Sequence, residues 1–236
     1  GELTYTDEEV AAACDEAHRR KLRVVCHARS ADAVKQAVRF GVDVIGHANY
    51  LDDEAVDLLR RERHRLFVGP AIAWEVQFVA QCETLGVPKS VMRAKGYEHE
   101  IEQTVKTVRR LREAGVRVLV GGDYGLNITP HGTYAKDLEY FVDLFAMSPT
   151  EALLCATRDG GAAADTDGMV GTLEAGKYAD VVIVDGDPTV DITVLHDHAR
   201  LTVMKDGTLY RNLANAHPYT VPDVGAWMAD LVETPT

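Results

Sequence analysis

No uninterrupted apolar run in these 236 residues approaches the ~20 that a membrane-spanning helix needs, and no signal-like segment opens the chain. A membrane role is therefore not expected, and the cytoplasm is the most economical compartment. Cysteine is scarce: Cys14, Cys26, Cys82 and Cys155 are scattered without a C-x-x-C spacing, so buried, reduced thiols are expected rather than a disulfide framework. Basic charge is also short. Twenty-five Lys and Arg stand against 37 Asp and Glu, a net charge of -12 that argues against non-specific attraction to nucleic acid and toward a soluble enzyme with neutral or cationic ligands. There is no low-complexity stretch, and Asp159-Gly160-Gly161 is no phosphate loop, because it follows no strand and lacks a Lys-Ser or Lys-Thr ending. The chain also has no initiator Met at Gly1-Glu2-Leu3, which raises the expectation of an upstream segment.

What is present is a βα alternation in a chain whose 46% hydrophobic content suits a globular core. Thr6-Asp7-Glu8-Glu9 reads as a capping box ahead of a helix with Val10, Ala13, Cys14 and Ala17 on its apolar face. Residues 22–26 form a compact run suited to a strand buried on both faces. A helix from Ala31, a strand from Val42, a helix from Asp53 and a strand from Leu66 follow, an order that favours a parallel sheet or barrel. The spacing then expands: 71–85 and 89–114 both read as helical, with Gly86-Val87-Pro88 between them, and 116–120 restores a strand. Ser148-Pro149-Thr150-Glu151 starts a further helix over 152–157. From Gly168 onward short strands take over at 181–184, 201–205 and 208–211, with Asp206-Gly207 as a hairpin turn. The tail 212–236 carries a candidate short helix over 224–232.

Three side chains stand at the ends of apolar runs: His27 after Val24-Val25-Cys26, His47 after Val44-Ile45-Gly46, and Asp123 after Val118-Leu119-Val120-Gly121-Gly122. In a parallel barrel the carboxyl ends of different strands converge on one mouth, so distant residues can share one ion. Two imidazoles and a carboxylate suit zinc or a related divalent metal, and the Asp can also take a proton from metal-activated water. A histidine that merely ends a strand is the plainer reading for either one alone.

The ordered motifs His27-Ala28, Gly46-His47, Gly122-Asp123-Tyr124-Gly125, Pro130-His131-Gly132, Ser148-Pro149-Thr150-Glu151-Ala152 and Gly171-Thr172-Leu173-Glu174-Ala175-Gly176-Lys177-Tyr178-Ala179-Asp180 resemble the amidohydrolase superfamily. The nearest branch is its imidazolonepropionase and prolidase-like members, including molinate-hydrolase-like enzymes, over residues 6–211. The resemblance implies that His27, His47 and Asp123 follow the fifth, sixth and eighth strands of a (β/α)8 barrel and bind metal, with Asp123 also catalytic. Family members carry a His-x-His pair on the first strand and usually a carboxylated Lys on the fourth. No such pair precedes His27, and the sole candidate, His196-Asp197-His198, lies far downstream.

The chain is therefore expected to be α/β: residues 1–167 forming the carboxyl-terminal half of a TIM barrel (strands five to eight), 168–211 part of a small β-sandwich lobe, and 212–236 a tail. The expected activity is metal-dependent hydrolysis of an amide-like C–N bond in an amide, peptide, carbamate, thiocarbamate, urea or cyclic amide. It would use one or two divalent ions, zinc foremost with cobalt or manganese as alternatives. His131 joins Asp123 as a catalytic candidate, and Tyr124, His131, Arg29, Trp74 and Tyr50 are candidates for substrate binding. Arg29 stands where many relatives continue His-Ala-His, and it could fork onto a substrate carboxylate or form a surface salt bridge. Glu75, Glu98, His99 and Glu100 read as a solvated helix face. The expected partners are an amino-terminal half that closes the barrel, a small-molecule or short-peptide substrate, and further copies in a homo-oligomer; no nucleic acid is expected. The rival reading is a degenerate, non-catalytic barrel acting as a ligand- or partner-binding module.

Overall fold

A computed structural model describes residues 3–165 and 167–210; the tail with its candidate helix over 224–232 lies outside them. The chain forms two compact units, one of Gly1–Ile72 and Lys89–Leu119, the other of Ala73–Pro88 and Val120–Thr236. No helix among the described residues is long and apolar enough to cross a membrane.

The first unit is built on a parallel sheet in the order β1 (Val25–Ser30), β2 (Val44–Tyr50), β3 (Phe67–Gly69), β4 (Arg117–Val118). Its first three helices begin where the sequence supplies caps. Thr6 and Glu9 close a reciprocal capping box on α1 (Asp7–Arg19). Ser30 caps α2 (Ala31–Phe40), and Asp52 caps α3 (Asp53–Arg61) through a 2.8 Å bond from the Ala55 amide. Gly41, at φ 94°, ends α2 in the left-handed conformation that a glycine reaches without strain. Val34, Val38, Ile45, Leu59, Leu66 and Leu111 meet in one buried core, and each is worth ~2 kcal/mol by burial alone.

Three expectations shift. The first strand does not begin at Leu22, which is 58% exposed, because the α1 terminus consumes that segment: Leu22 donates to the Ala17 carbonyl and Lys21 turns at φ 59°. Nor is β1 buried on both faces. It is an edge strand, and its Val25 is 68% exposed. The expanded segment holds α4 (Ile72–Ala80), then α5 (Lys89–Ala94) and α6 (Tyr97–Glu113) where one helix over 89–114 was expected, since Gly96 at φ 80° breaks the run.

The second unit buries Tyr140, Phe141, Leu144 and Phe145 around α7 (Lys136–Asp143). The expected box at Ser148 and Glu151 starts α8 (Pro149–Leu154), which continues through a π turn (Cys155–Asp159) into α9 (Gly160–Ala164), longer than the span of 152–157 predicted. Gly161 is spent on packing: a Cβ there would lie 2.5 Å from the Gly171 Cα. The lobe is an antiparallel meander of β5 (Val181–Val184), β6 (Leu201–Lys205) and β7 (Thr208–Tyr210), and the Asp206-Gly207 turn takes the two positive φ values, 47° and 75°, of a type I′ hairpin. All four cysteines are free, and Cys26 is the only one not fully buried.

Candidate metal centre

In the first unit the parallel register sets His27 beside Gly46 and Ala28 beside His47. Gly46 has little room for anything larger, because a Cβ would approach the Cys26 carbonyl to 3.1 Å. Across this pair the rings stack with centroids 4.9 Å apart, and His27 Nδ1 lies 2.7 Å from His47 Nε2. Two imidazole nitrogens this close need either a proton on one of them or a cation between their lone pairs. Two nitrogens on one tetrahedral zinc sit roughly 3.3 Å apart, given Zn–N bonds of about 2 Å. The donor set therefore suits a divalent metal with a small opening of the pair.

The backbone around His47 is unusual. His47 and Ala48 are consecutive non-glycine residues at φ 74° and 54°, a conformation that costs on the order of 1–3 kcal/mol per residue and concentrates at functional positions. No motif in the sequence announces it. His47 is buried, whereas His27 is exposed.

Arg29 pairs with Glu100 of α6 at 2.5 Å. Glu100 is only 7% exposed, so it does not belong to the solvated face predicted for it; the guanidinium draws it inward. Arg29, Tyr50, His27 and Tyr5 line a cavity of about 720 Å³ along the open edge of β1.

In the second unit Asp123 is exposed, at φ 57°, in a loop where its carbonyl accepts from Thr129 Oγ1 at 2.9 Å. The loop is held from beneath by Asp137, which sequence reading did not single out. Asp137 is fully buried and accepts from the Ala73 amide at 3.2 Å and from the Gly121 amide. Burial outweighs these bonds and pushes its carboxyl up to about 7. Gly122 must be glycine, since a Cβ would fall 2.7 Å from both the Ala73 Cβ and an Asp137 oxygen. Nothing local marked Asp137; it lies in the first turn of α7 like any helix-start acid.

Tyr124 packs edge-on against Tyr134 at 4.8 Å, and burial, with the nearby Asp137 charge, raises its phenol well above the ordinary value. His131 is exposed, with Nδ1 2.6 Å from the Tyr134 hydroxyl. Trp74 stacks on Phe78 at 5.2 Å. The downstream pair is divided between structural partners: His198 Nε2 lies 3.1 Å from the Gly132 carbonyl, and His196 sits 3.4 Å from Glu139.

A parallel α/β sheet with histidines paired across adjacent strands has relatives. Over 96% of its length the chain is 25% identical to an ochratoxinase of Aspergillus niger, covering 44% of that protein. Over 48% of its length it is 26% identical to an imidazolonepropionase of Thermoanaerobacter pseudethanolicus, covering 28% of it. The structure of a Xaa-Pro dipeptidase with methionine bound in its active site superposes with a TM-score of 0.75 at 32% identity, over 88% of this chain and 49% of that one. The chain thus spans about half the length, or less, of the relatives it matches. With the family model for amidohydrolases matching residues 1–210, and the motif order agreeing with it, the chain belongs to the Amidohydrolase family.

Proposed function

We propose that this chain carries half of the active site of a metal-dependent hydrolase that cleaves an amide-like C–N bond. The observation that carries the reading is the His27–His47 pair, two imidazole nitrogens 2.7 Å apart on neighbouring parallel strands. His27 and His47 hold a divalent ion, zinc foremost with cobalt or manganese as alternatives, and Asp123 completes the set, as the order of the motifs in the family implies. The ion supplies Lewis acidity toward the scissile carbonyl and brings the pKa of water to about 7. Asp123 takes the proton of the attacking water and delivers it to the leaving amine. His131 and Tyr124 donate to the substrate carbonyl, and His131 is kept in reach by its bond to Tyr134. Tyr50 and Trp74 offer apolar walls. Arg29, with its side chain 40% exposed beside Glu100, receives a substrate carboxylate.

The substrate class is a small molecule or short peptide bearing an amide, carbamate, thiocarbamate, urea or cyclic amide bond. The other half of the site comes from an amino-terminal half of the barrel. Support comes from the open edge of β1, the cavity beside it, the exposed Val182 and Ile183 of the three-stranded lobe, and the half-length match to relatives. The assembled enzyme is a homo-oligomer that works in the cytoplasm without nucleic-acid or membrane partners.

The test is metal analysis combined with hydrolysis of a panel of N-acyl amino acids, ureas and carbamates by the assembled protein. One or two divalent ions per site, and activity lost on chelation and restored by zinc, are expected. Full activity in a metal-free preparation would overturn the mechanism, and tight metal binding without turnover of any panel member would favour a binding module.

A further inference from the structure

The segment from α4 to α6 enlarges the connection after β3, and such insertions are usually read as substrate-facing. Its longest helix does something else. On one face of α6, at spacings of four, three and three, stand Glu100, Thr104, Thr107 and Arg110, and each reaches the last residues of β1 or β2, or Leu51 just past β2, beyond the strand's histidine. Glu100 pairs with Arg29, two residues past His27. Thr104 Oγ1 accepts from Asn49 Nδ2 at 2.7 Å while donating to the Glu100 carbonyl at 3.0 Å. Thr107 Oγ1 donates to the Asn49 carbonyl at 3.0 Å, and Arg110 donates to the Leu51 carbonyl at 2.9 Å.

These bonds fall where the sheet lets go. The β1–β2 register runs Ala28 with His47 and then jumps to Ser30 with Tyr50, so Ala48 and Asn49 bulge against Arg29 alone. A bulge of this kind disrupts the ladder and re-aims the neighbouring side chain. The bulge coincides with the left-handed pair His47 and Ala48, a backbone that persists only when its surroundings over-determine it. Asn49, Thr104 and Thr107 are all buried, at 0%, 0% and 4% exposure, so their bonds are made without competition from water.

We infer that α6 is a positioning element, in which Thr104 and Thr107, through Asn49, hold the left-handed His47–Ala48 backbone and so aim the His47 ring at its ion. This rests on the metal reading above. Thr104, Thr107 and Asn49 act through the backbone, as positioning residues. Removing a hydroxyl should loosen the bulge and lower metal affinity without dissolving the fold, as loss of groups behind metal ligands commonly costs 10–100-fold in affinity.

The test is Thr104→Val, nearly the same shape without the hydroxyl, made in the assembled enzyme beside Thr104→Ser, Thr107→Val and His47→Ala. Zinc affinity is read by competition with a chromophoric chelator, and amide hydrogen exchange is read over residues 47–51 with and without zinc. Expected are a tenfold or greater loss of zinc affinity and faster exchange of those amides in Thr104→Val, a similar change in Thr107→Val, and recovery to within about twofold in Thr104→Ser. Unchanged exchange in both valine variants overturns the brace, as does faster exchange with unchanged zinc affinity. Should His47→Ala itself keep full zinc affinity, the metal reading fails and takes the inference with it; His47→Ala weak and Thr104→Val normal sinks the inference alone.

Discussion

Two ways of holding a functional side chain coexist in this molecule. In the first unit His27 and His47 ride on neighbouring hydrogen-bonded strands, and the bulge after His47 is tied to a helix by neutral hydroxyl and amide groups. In the second unit Asp123 stands on a loop beyond any strand, and the buried carboxyl of Asp137 gathers the amides of Ala73 and Gly121 beneath it. The first device is made of groups that do not titrate near neutrality. The second depends on a carboxyl whose burial places its proton equilibrium near 7, so the two ends of the proposed site should respond differently to mutation and to pH.

The largest expected effect separates binding from proton transfer. Asp123→Asn keeps an oxygen that can still face the ion but loses the base, so turnover should fall at least ~100-fold with most of the metal retained, whereas His47→Ala should lose metal first. Metal content and single-turnover hydrolysis, measured on both variants, check this. Equal metal loss in the two would erase the distinction drawn between the regions.

Next comes Gly122→Ala. The new methyl would fall 2.7 Å from Ala73 and from the Asp137 carboxyl, so the second unit must shift, at about 1–3 kcal/mol. A lowered thermal midpoint is expected. Gly69 has open space around the same position, so Gly69→Ala in the first unit should cost less, and the pair of melting curves tests the contrast.

The pH response is the third. Asp137 carries a folded-state pKa of about 7 against an ordinary 3.8, so between those values the unfolded chain gives up a proton that the folded one keeps. Its contribution to stability is complete below pH ~4 and declines as pH rises through about 7, with a ceiling on the order of 4 kcal/mol. Asp137→Asn removes this titration. Relative to wild type, the variant should therefore gain stability between pH 5 and pH 8, read as the difference in denaturant midpoints. A constant difference would remove Asp137 as a pH-dependent group.

The smallest effects are the caps. Thr6→Ala in the first unit and Ser148→Ala in the second each break a reciprocal box and should cost ~1 kcal/mol, with zinc affinity unmoved. Denaturant titration and chelator competition check this. A change in zinc affinity from either would mean that metal affinity follows global stability rather than the local devices compared above.

The legible parts of the sequence were those set by a few adjacent residues. The Thr6 and Ser148 boxes and the Asp206-Gly207 hairpin could be read in this way, because each depends on bonds closed within three or four positions. The ends of elements were less legible. Leu22 looked like strand because it is apolar, yet the α1 terminus captures its amide. Glu100 looked solvated because its neighbours on α6 are polar, yet Arg29, 71 residues away, draws it in.

Sequence alone determined the parallel α/β order and the family, and it put forward His27, His47 and Asp123 as candidates, since periodicity and motif order survive without coordinates. Only the tertiary structure decided that His27 and His47 meet at 2.7 Å, that His47 and Ala48 turn left-handed, and that Asn49 meets Thr104 and Thr107 across more than fifty residues. The same holds for Asp137, whose ordinary place in a helix start says nothing of the Ala73 amide 64 residues away. The reason is physical: a cap or turn is an interaction of the chain with its near neighbours, whereas burial, strain and a shifted proton equilibrium belong to groups that become neighbours only after the chain has packed.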